Sequence, residues 1–322
     1  MKLSHLSLVL LSPFALAQRP SNTTICDYYT GSVLGSNTAA NQKLLMTLLI
    51  NTVVLGNYTT PNTGVAVHGI AAPGVYNGTD VNLLPYFTPE LLSTNHGGDV
   101  GVGVAFLDDG GAGALLKNES SNGNTTSLQY NLLNHIYQYF GTLLNCSLQG
   151  SPDFPSYQGR TSMYEVHKFQ DFSPYDMDFF IEQCTNSALS LGFSLTDVNT
   201  FYLSLQQFNS RCSPPSNVQG IPTLSNQTKE LQSVCLAPGC KLDPNAACSD
   251  YAVAFEPLNV TSNATIVGSG ANATSTASAS GSGSPTSTSV ASGGVGLGMG
   301  ERVGEVVWTV GLIVLAVAYV WV

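Results

Sequence analysis

The sequence predicts a mainly α fold: one helical domain with long loop insertions, followed by a disordered stalk. Three observations lead there. Apolar residues recur at helical spacing in several long segments, of which 126–145, TSLQYNLLNHIYQYFGTLLN, is the cleanest. Between the first two of these segments, residues 58–125 are rich in Gly, Pro, Asn and Thr, the composition of loops. From about residue 259 the chain becomes Ser, Thr, Gly and Ala with one Pro, which cannot bury a core.

The elements follow in order. TAANQKLLMTLLINTVVLGN (38–57) carries apolar residues at helical spacing and ends at a Gly-Asn stop. Short strands are expected at 64–70 and 100–107. In 126–145, Leu128, Leu132, Leu133, Ile136, Tyr139, Phe140, Leu143 and Leu144 form one apolar stripe. Ser162 to Phe169 fits a short helix. Ser173-Pro174 opens another that runs to about Leu191, with a serine cap, proline in the first turn and Asp176 and Asp178 near the positive end; Gly192 closes it. Ser194 or Thr196 caps the next, which carries Val198, Phe201, Tyr202, Leu205 and Phe208 towards Cys212. Residues 213–258 are cysteine-rich and irregular, and read as a disulfide-pinned tail across the helical body.

The ends set the expected compartment. Residues 1–17, MKLSHLSLVLLSPFALA, combine an early lysine, a short apolar run and a small-residue cleavage site, the pattern of a secretory signal peptide. The domain is then 18–258 and the stalk 259–293. Residues 294–322 read as a glycolipid (GPI) anchor signal: small residues around Ala291–Gly294, a spacer with few charges, and the apolar VVWTVGLIVLAVAYVWV at 306–322. A single-span tail anchor is the other reading of that segment; the lack of a following positive charge favours the lipid anchor. The chain is therefore expected at the cell surface, held by a lipid anchor in the outer leaflet or linked to the cell wall.

Charged residues make up only 9% of the chain, so something else must solvate its surface. Ten Asn-x-Ser/Thr sequons can do so, at Asn22, Asn57, Asn77, Asn118, Asn124, Asn145, Asn226, Asn259, Asn263 and Asn272, of which Asn145 is the weakest because Cys146 occupies its middle position. The net charge of −10 argues against nucleic acid as a partner. Seven cysteines in a secreted chain should mostly pair and leave one over; Cys184, inside an amphipathic helix, is the expected free one. No Cys-x-x-Cys pair is present to suggest a structural zinc site.

The motifs of hydrolases are missing. No Gly-x-Ser-x-Gly occurs outside the stalk, and no His-Glu-x-x-His occurs at all. His96-Gly97-Gly98 has no nucleophile beside it and reads as a glycine turn; Asp108-Asp109 before two glycines also reads as a turn. An enzyme is thus not the expectation. The one side chain placed for a ligand role is His167, near the end of a short helix, where a neutral imidazole can bind iron if a flat apolar pocket faces it.

Residues 126–212, with a short upstream block, resemble the truncated haemoglobin family, the two-over-two globins. QYFGTLL is similar to the end of the family's distal helix. PSYQGRTSMYEVH is similar to its tyrosine-x-glycine stretch followed by methionine, three residues and the proximal histidine. FSPYDMDFFIEQCTNSALSLGFSLTDVNTFYLSL resembles the two helices that follow, and VNLLPYF (81–87) the apolar stretch whose last phenylalanine packs on haem. The resemblance implies a globin-like domain that binds haem, with His167 as proximal iron ligand and Phe87 against the haem face. Tyr139 and Phe140 would line the distal side, Leu132 and Ile136 would point into the pocket, and Met163 would lie beneath the ring. It implies a diatomic gas such as oxygen or NO, redox sensing or haem capture as the ligand chemistry.

The chain departs from the family in several places. The helix LLINTVVLGN has no tyrosine where one usually bonds bound oxygen, with Asn51 nearest that place, and Ile136 stands where a glutamine often assists. NCSLQGSPDF is longer than the family's glycine pair, and large insertions flank Phe87. The alternative reading is a haem-free globin-like scaffold serving as a cell-wall or adhesion glycoprotein, with cell-wall glycans as partners.

Overall fold

The computed structural model describes residues 18–60, 62–94, 101–215, 230–251 and 266–267, all within one compact unit, residues 1–271. The predicted signal peptide, His96–Gly98, most of the stalk and the apolar 306–322 lie outside the described residues. Among the described residues no helix is long and apolar enough to cross a membrane.

The fold is mainly α. Helix α1 (Ile25–Leu34) was not expected, because its ten residues include Thr, Gly and Ser and show no apolar stripe. It is set by its ends: the Thr24 hydroxyl accepts from Asp27 N, and Gly35 closes it at φ +81°. Helix α2 (Ala39–Leu55), capped by Thr38, is the centre of the molecule. Every residue from Leu45 to Val53 is buried, since α1, α4 (Leu128–Leu143) and α6 (Pro174–Ser190) pack around it. Helix α6 opens with the expected Ser173 cap, completed by Asp176 as a reciprocal capping box. Ser194, rather than Thr196, caps α7 (Leu195–Gln206), which packs on α6 and ends before Cys212. The short α3 (Gly111–Leu115) and α5 (Met163–His167) complete the described helices, apart from single 3-10 turns at Leu84–Tyr86 and Cys248–Asp250.

The loops hold two small sheets. β1 (Gly74–Tyr76) and β2 (Thr79–Val81) form an antiparallel hairpin around Asn77-Gly78, both at positive φ, the two-residue turn whose twist suits a hairpin. β3 (Leu92–Thr94) pairs antiparallel with β4 (Val102–Val104), and β4 pairs parallel with β5 (Ile266–Val267). The strand expected at 100–107 is therefore present but short. The strand expected at 64–70 is not. That segment folds back over the end of α2, where Ile70 N and Ala71 N donate to the carbonyls of Val53 and Val54. The approach is so close that a Cβ on Gly69 would lie 2.4 Å from Gly56 N. A stretch that completes a helix end has no free edge to enter a sheet.

Buried amides hold the loops. Gln129 in α4 is fully buried: its Oε1 accepts from Asp109 N and Gly111 N, and its Nε2 donates to the carbonyls of Gly111 and Ser120. Asp108 and Asp109 serve the same loop. The Asp108 carboxylate accepts from Leu128 N and Gln129 N at the start of α4, and Asp109 accepts from Asn124 N. This is the turn role expected of that pair. Gln183 holds His68 N and Gly69 N, and Gln42 ties Asp27, Asn37 and Leu148 N together.

Three disulfides join Cys26–Cys146, Cys212–Cys248 and Cys235–Cys240, and Cys184 is free and buried, as expected. The first ties α1 to the turn after α4. The other two hold the tail, which crosses the ends of α5 and α7: Val234 N and Cys235 N donate to Phe208 O, and Ser162 Oγ donates to Leu231 O.

Two outcomes follow. Gln129→Leu leaves four half-buried backbone groups without their partner and should cost about 3 kcal/mol in urea unfolding; an unchanged midpoint would mean that the loop finds other partners. A thiol reagent should find no reactive cysteine in the native protein and one per chain in denaturant without reductant, because burial pushes the Cys184 thiol well up from its ordinary pKa.

Candidate functional site

His167 is the last residue of α5, a single turn opened by the Ser162 hydroxyl accepting from Glu165 N. Its Nδ1 donates to the side-chain carbonyl of Gln170, itself buried, and its own carbonyl accepts from Gln170 N at 2.8 Å. A carbonyl acceptor places the ring proton on Nδ1 and leaves Nε2 with its lone pair. Among the described residues Nε2 makes no hydrogen bond. Burial lowers the imidazole pKa below its ordinary value, partly offset by the Gln170 bond, so the ring is neutral at neutral pH. Phe172 lies beside it at 6.0 Å between ring centres, and Phe172 in turn packs on Tyr86 at 4.6 Å. Phe87 follows Tyr86, half-buried against the same core, and Met163 opens α5 inside the core.

The residues expected on the distal side come from α4. Leu132 and Ile136 are half-buried, while Tyr139 and Phe140 are buried. Tyr139 meets Tyr157, Phe140 and Phe208 edge-on at 5.4 to 6.3 Å, and Phe140 meets Phe201 at 5.9 Å. The Tyr139 hydroxyl is buried without a hydrogen-bond partner, and burial pushes its pKa well up. Neither ring touches that of His167. The expected residues thus fall into two groups, one around His167, Phe172 and Tyr86, the other around Tyr139, Tyr157 and Phe208.

Asn51 is not a free donor. It is fully buried, with Oδ1 accepting from the Tyr137 hydroxyl at 2.6 Å and Nδ2 donating to Leu115 O. Gln170 and Phe172 escaped the sequence reading, and Tyr157 entered it only as the tyrosine of the tyrosine-x-glycine stretch. Only Gln170 left a local signal, lying three residues after His167 in the turn that follows α5.

A haem iron asks for a neutral imidazole with one nitrogen held and the other bare, and His167 with Gln170 meets that. The buried, unpartnered Tyr139 hydroxyl belongs to the separate group of rings around Tyr157 and Phe208.

A separate cleft of about 390 Å³ opens between the turn before α1, the end of α4 and α7. None of the seven candidate residues lines it. One wall is anchored by Arg19, whose guanidinium binds the buried Asp197 carboxylate at 2.7 Å; the Tyr29 hydroxyl donates to the same carboxylate at 2.9 Å. Burial alone would raise the Asp197 pKa, but hydrogen bonds from Arg19 and Tyr29, the Arg19 charge and the Ser194 hydroxyl outweigh it and hold the carboxyl below its ordinary value.

These features define a mainly helical, disulfide-stapled domain in which the His167 ring keeps one nitrogen without a hydrogen bond among the described residues. Compared with models of known protein families, with curated proteins and with solved structures, the chain matches none.

Because the folded Asp197 pKa lies below the unfolded one, the carboxylate stabilises the fold at neutral pH, and this contribution disappears as pH falls through the lowered value. Asp197→Asn should therefore be less stable than the wild type at pH 6, with the difference in urea midpoint shrinking towards zero near pH 2. A constant difference across that range would remove the carboxylate from the account.

Proposed function

We propose that this chain is an extracellular, surface-held protein with a globin-like helical domain that binds haem through His167. The observation that supports it most is the state of that ring: Nδ1 committed to a buried amide carbonyl, Nε2 bare and the imidazole neutral. Phe87, Met163, Leu132, Ile136, Tyr139 and Phe140 are the residues assigned to the surrounding pocket. Leu132 and Ile136 bring no hydrogen-bond donor and the Tyr139 hydroxyl brings one, so the ligand chemistry proposed is a diatomic gas such as NO, redox sensing or haem capture. Bound haem would supply an iron that takes a diatomic gas or exchanges one electron. Secretion and a lipid anchor are part of the same proposal, and the three disulfides support an oxidising compartment.

A haem-free cell-wall or adhesion module is the second reading. It is favoured by one observation: Tyr139 and Phe140 already fill their surroundings with Tyr157, Phe208 and Phe201.

Titration of the secreted protein with haemin separates the two. Haem binding predicts a stoichiometric Soret band that His167→Ala abolishes. Gln170→Leu should keep the band and weaken affinity by roughly 10–100-fold, the usual effect of losing the group that orients a ligand histidine. A band that His167→Ala leaves unchanged would remove His167 as the ligand, and no specific band in the wild type would leave the haem-free scaffold.

A further inference from the structure

We propose that the cleft beside α1 and α7 seats the first sugar of an asparagine-linked glycan carried on Asn145, so that the glycan is part of the folded domain. The proposal rests on the reading of the chain as secreted.

Six of the ten sequons fall among the described residues, and their asparagines differ. Asn57 is clamped, with Nδ2 donating to Val65 O and Oδ1 accepting from Val67 N. Asn118 accepts from the Tyr58 hydroxyl, and Asn124 from Thr126. Asn22, Asn77 and Asn145 are exposed, and their side chains make no hydrogen bond among the described residues. Asn77 stands at the tip of the β1–β2 hairpin. The other two stand on the rim of the same cleft.

The cleft suits a pyranose. Its floor is apolar, from Ile25, Leu143, Leu144 and Phe201, which matches the C–H face of a sugar ring. Its rim carries Arg19, Thr23 and Thr200, which can bond ring hydroxyls and an N-acetyl group. About 390 Å³ lies at the lower end of small-molecule sites, which span about 300–1,000 Å³.

Asn145 is favoured over Asn22 by its base. Its N–H donates to Thr142 O, Cys26 N donates to Leu144 O, and the next residue, Cys146, is bonded to Cys26. A sugar on this asparagine starts from a fixed point beside the apolar floor, so little further freedom is lost when it docks. The Ser147 hydroxyl of the sequon is exposed and makes no hydrogen bond among the described residues, whereas Thr24, which completes the Asn22 sequon, caps α1. In the transfer step Nδ2 of Asn145 loses one proton and bonds to the anomeric carbon of N-acetylglucosamine. The bond that breaks joins that carbon to a lipid-linked pyrophosphate, which leaves with the electron pair; a base of the host transferase takes the proton.

Asn145 sits at φ +59°, so replacing it would strain the backbone as well as remove the sugar. Ser147→Ala removes the sequon and leaves Asn145 in place. Thr79→Val does the same for Asn77 and serves as control. The full chain, secreted from a eukaryotic host, would be mapped by glycopeptide mass spectrometry and by hydrogen exchange across 143–145 and 200–204. Trimming all glycans to one N-acetylglucosamine should leave the exchange of both segments unchanged. Ser147→Ala should raise it and lower Tm by about 2–4 °C, and Thr79→Val should leave the exchange of both segments as in the wild type. An unmodified Asn145 in a chain glycosylated elsewhere would overturn the proposal alone. So would a modified Asn145 whose loss leaves 200–204 unchanged. A chain without sugar at any sequon would overturn the secreted reading, and this proposal with it.

Discussion

Buried side-chain amides hold this fold together. A chain with few charges and long irregular connections has many backbone N–H and C=O groups that leave water without entering a helix or sheet, and each needs a partner. Gln42, Gln129, Gln183 and Gln232 are all buried and all spend their amides on loop backbone. Each offers two donors and an acceptor from one uncharged group, so a loop can be stitched to a helix without burying an ion. Asn51 does the same between α2, Tyr137 and the end of α3.

The device extends to the ligand candidate. Gln170 fixes His167 as Gln129 fixes the loop before α4, through a buried amide carbonyl. What differs is the group held: a ring whose second nitrogen makes no hydrogen bond among the described residues. The short α5 owes its place to the tail, since Ser162 and Tyr164 both bond to Leu231 O and Gln232 bonds to Thr161 O. The disulfides that pin this tail therefore also position the histidine.

Among the described residues, charge is buried at one point. Arg19, Tyr29, Ser194 and Asp197 join the N-terminal turn, α1 and α7, and Tyr29 stacks on Phe193 at 3.8 Å. Together with Cys26–Cys146 this closes the N-terminal helix onto the core from two sides and shapes the cleft between them.

The sequence by itself determined whatever depends on near neighbours. α2, α4, α6 and α7 were legible because their apolar spacing and their Ser, Thr, Pro and Gly ends lie within a few turns of each other. Cys184 was legible as the odd cysteine because it sits mid-helix. The tertiary structure alone decided the rest. α1 has no stripe to read, and its burial comes from α2 and from a disulfide partner 120 residues away. The 64–70 segment resembles a strand until the end of α2, Asn57 and Gln183 claim its N–H groups. Asn51 could be read as a pocket donor until Tyr137 and Leu115, distant in the chain, occupied both of its amide atoms. Local spacing records which groups a residue carries; which partner reaches them is settled by contacts across the whole chain.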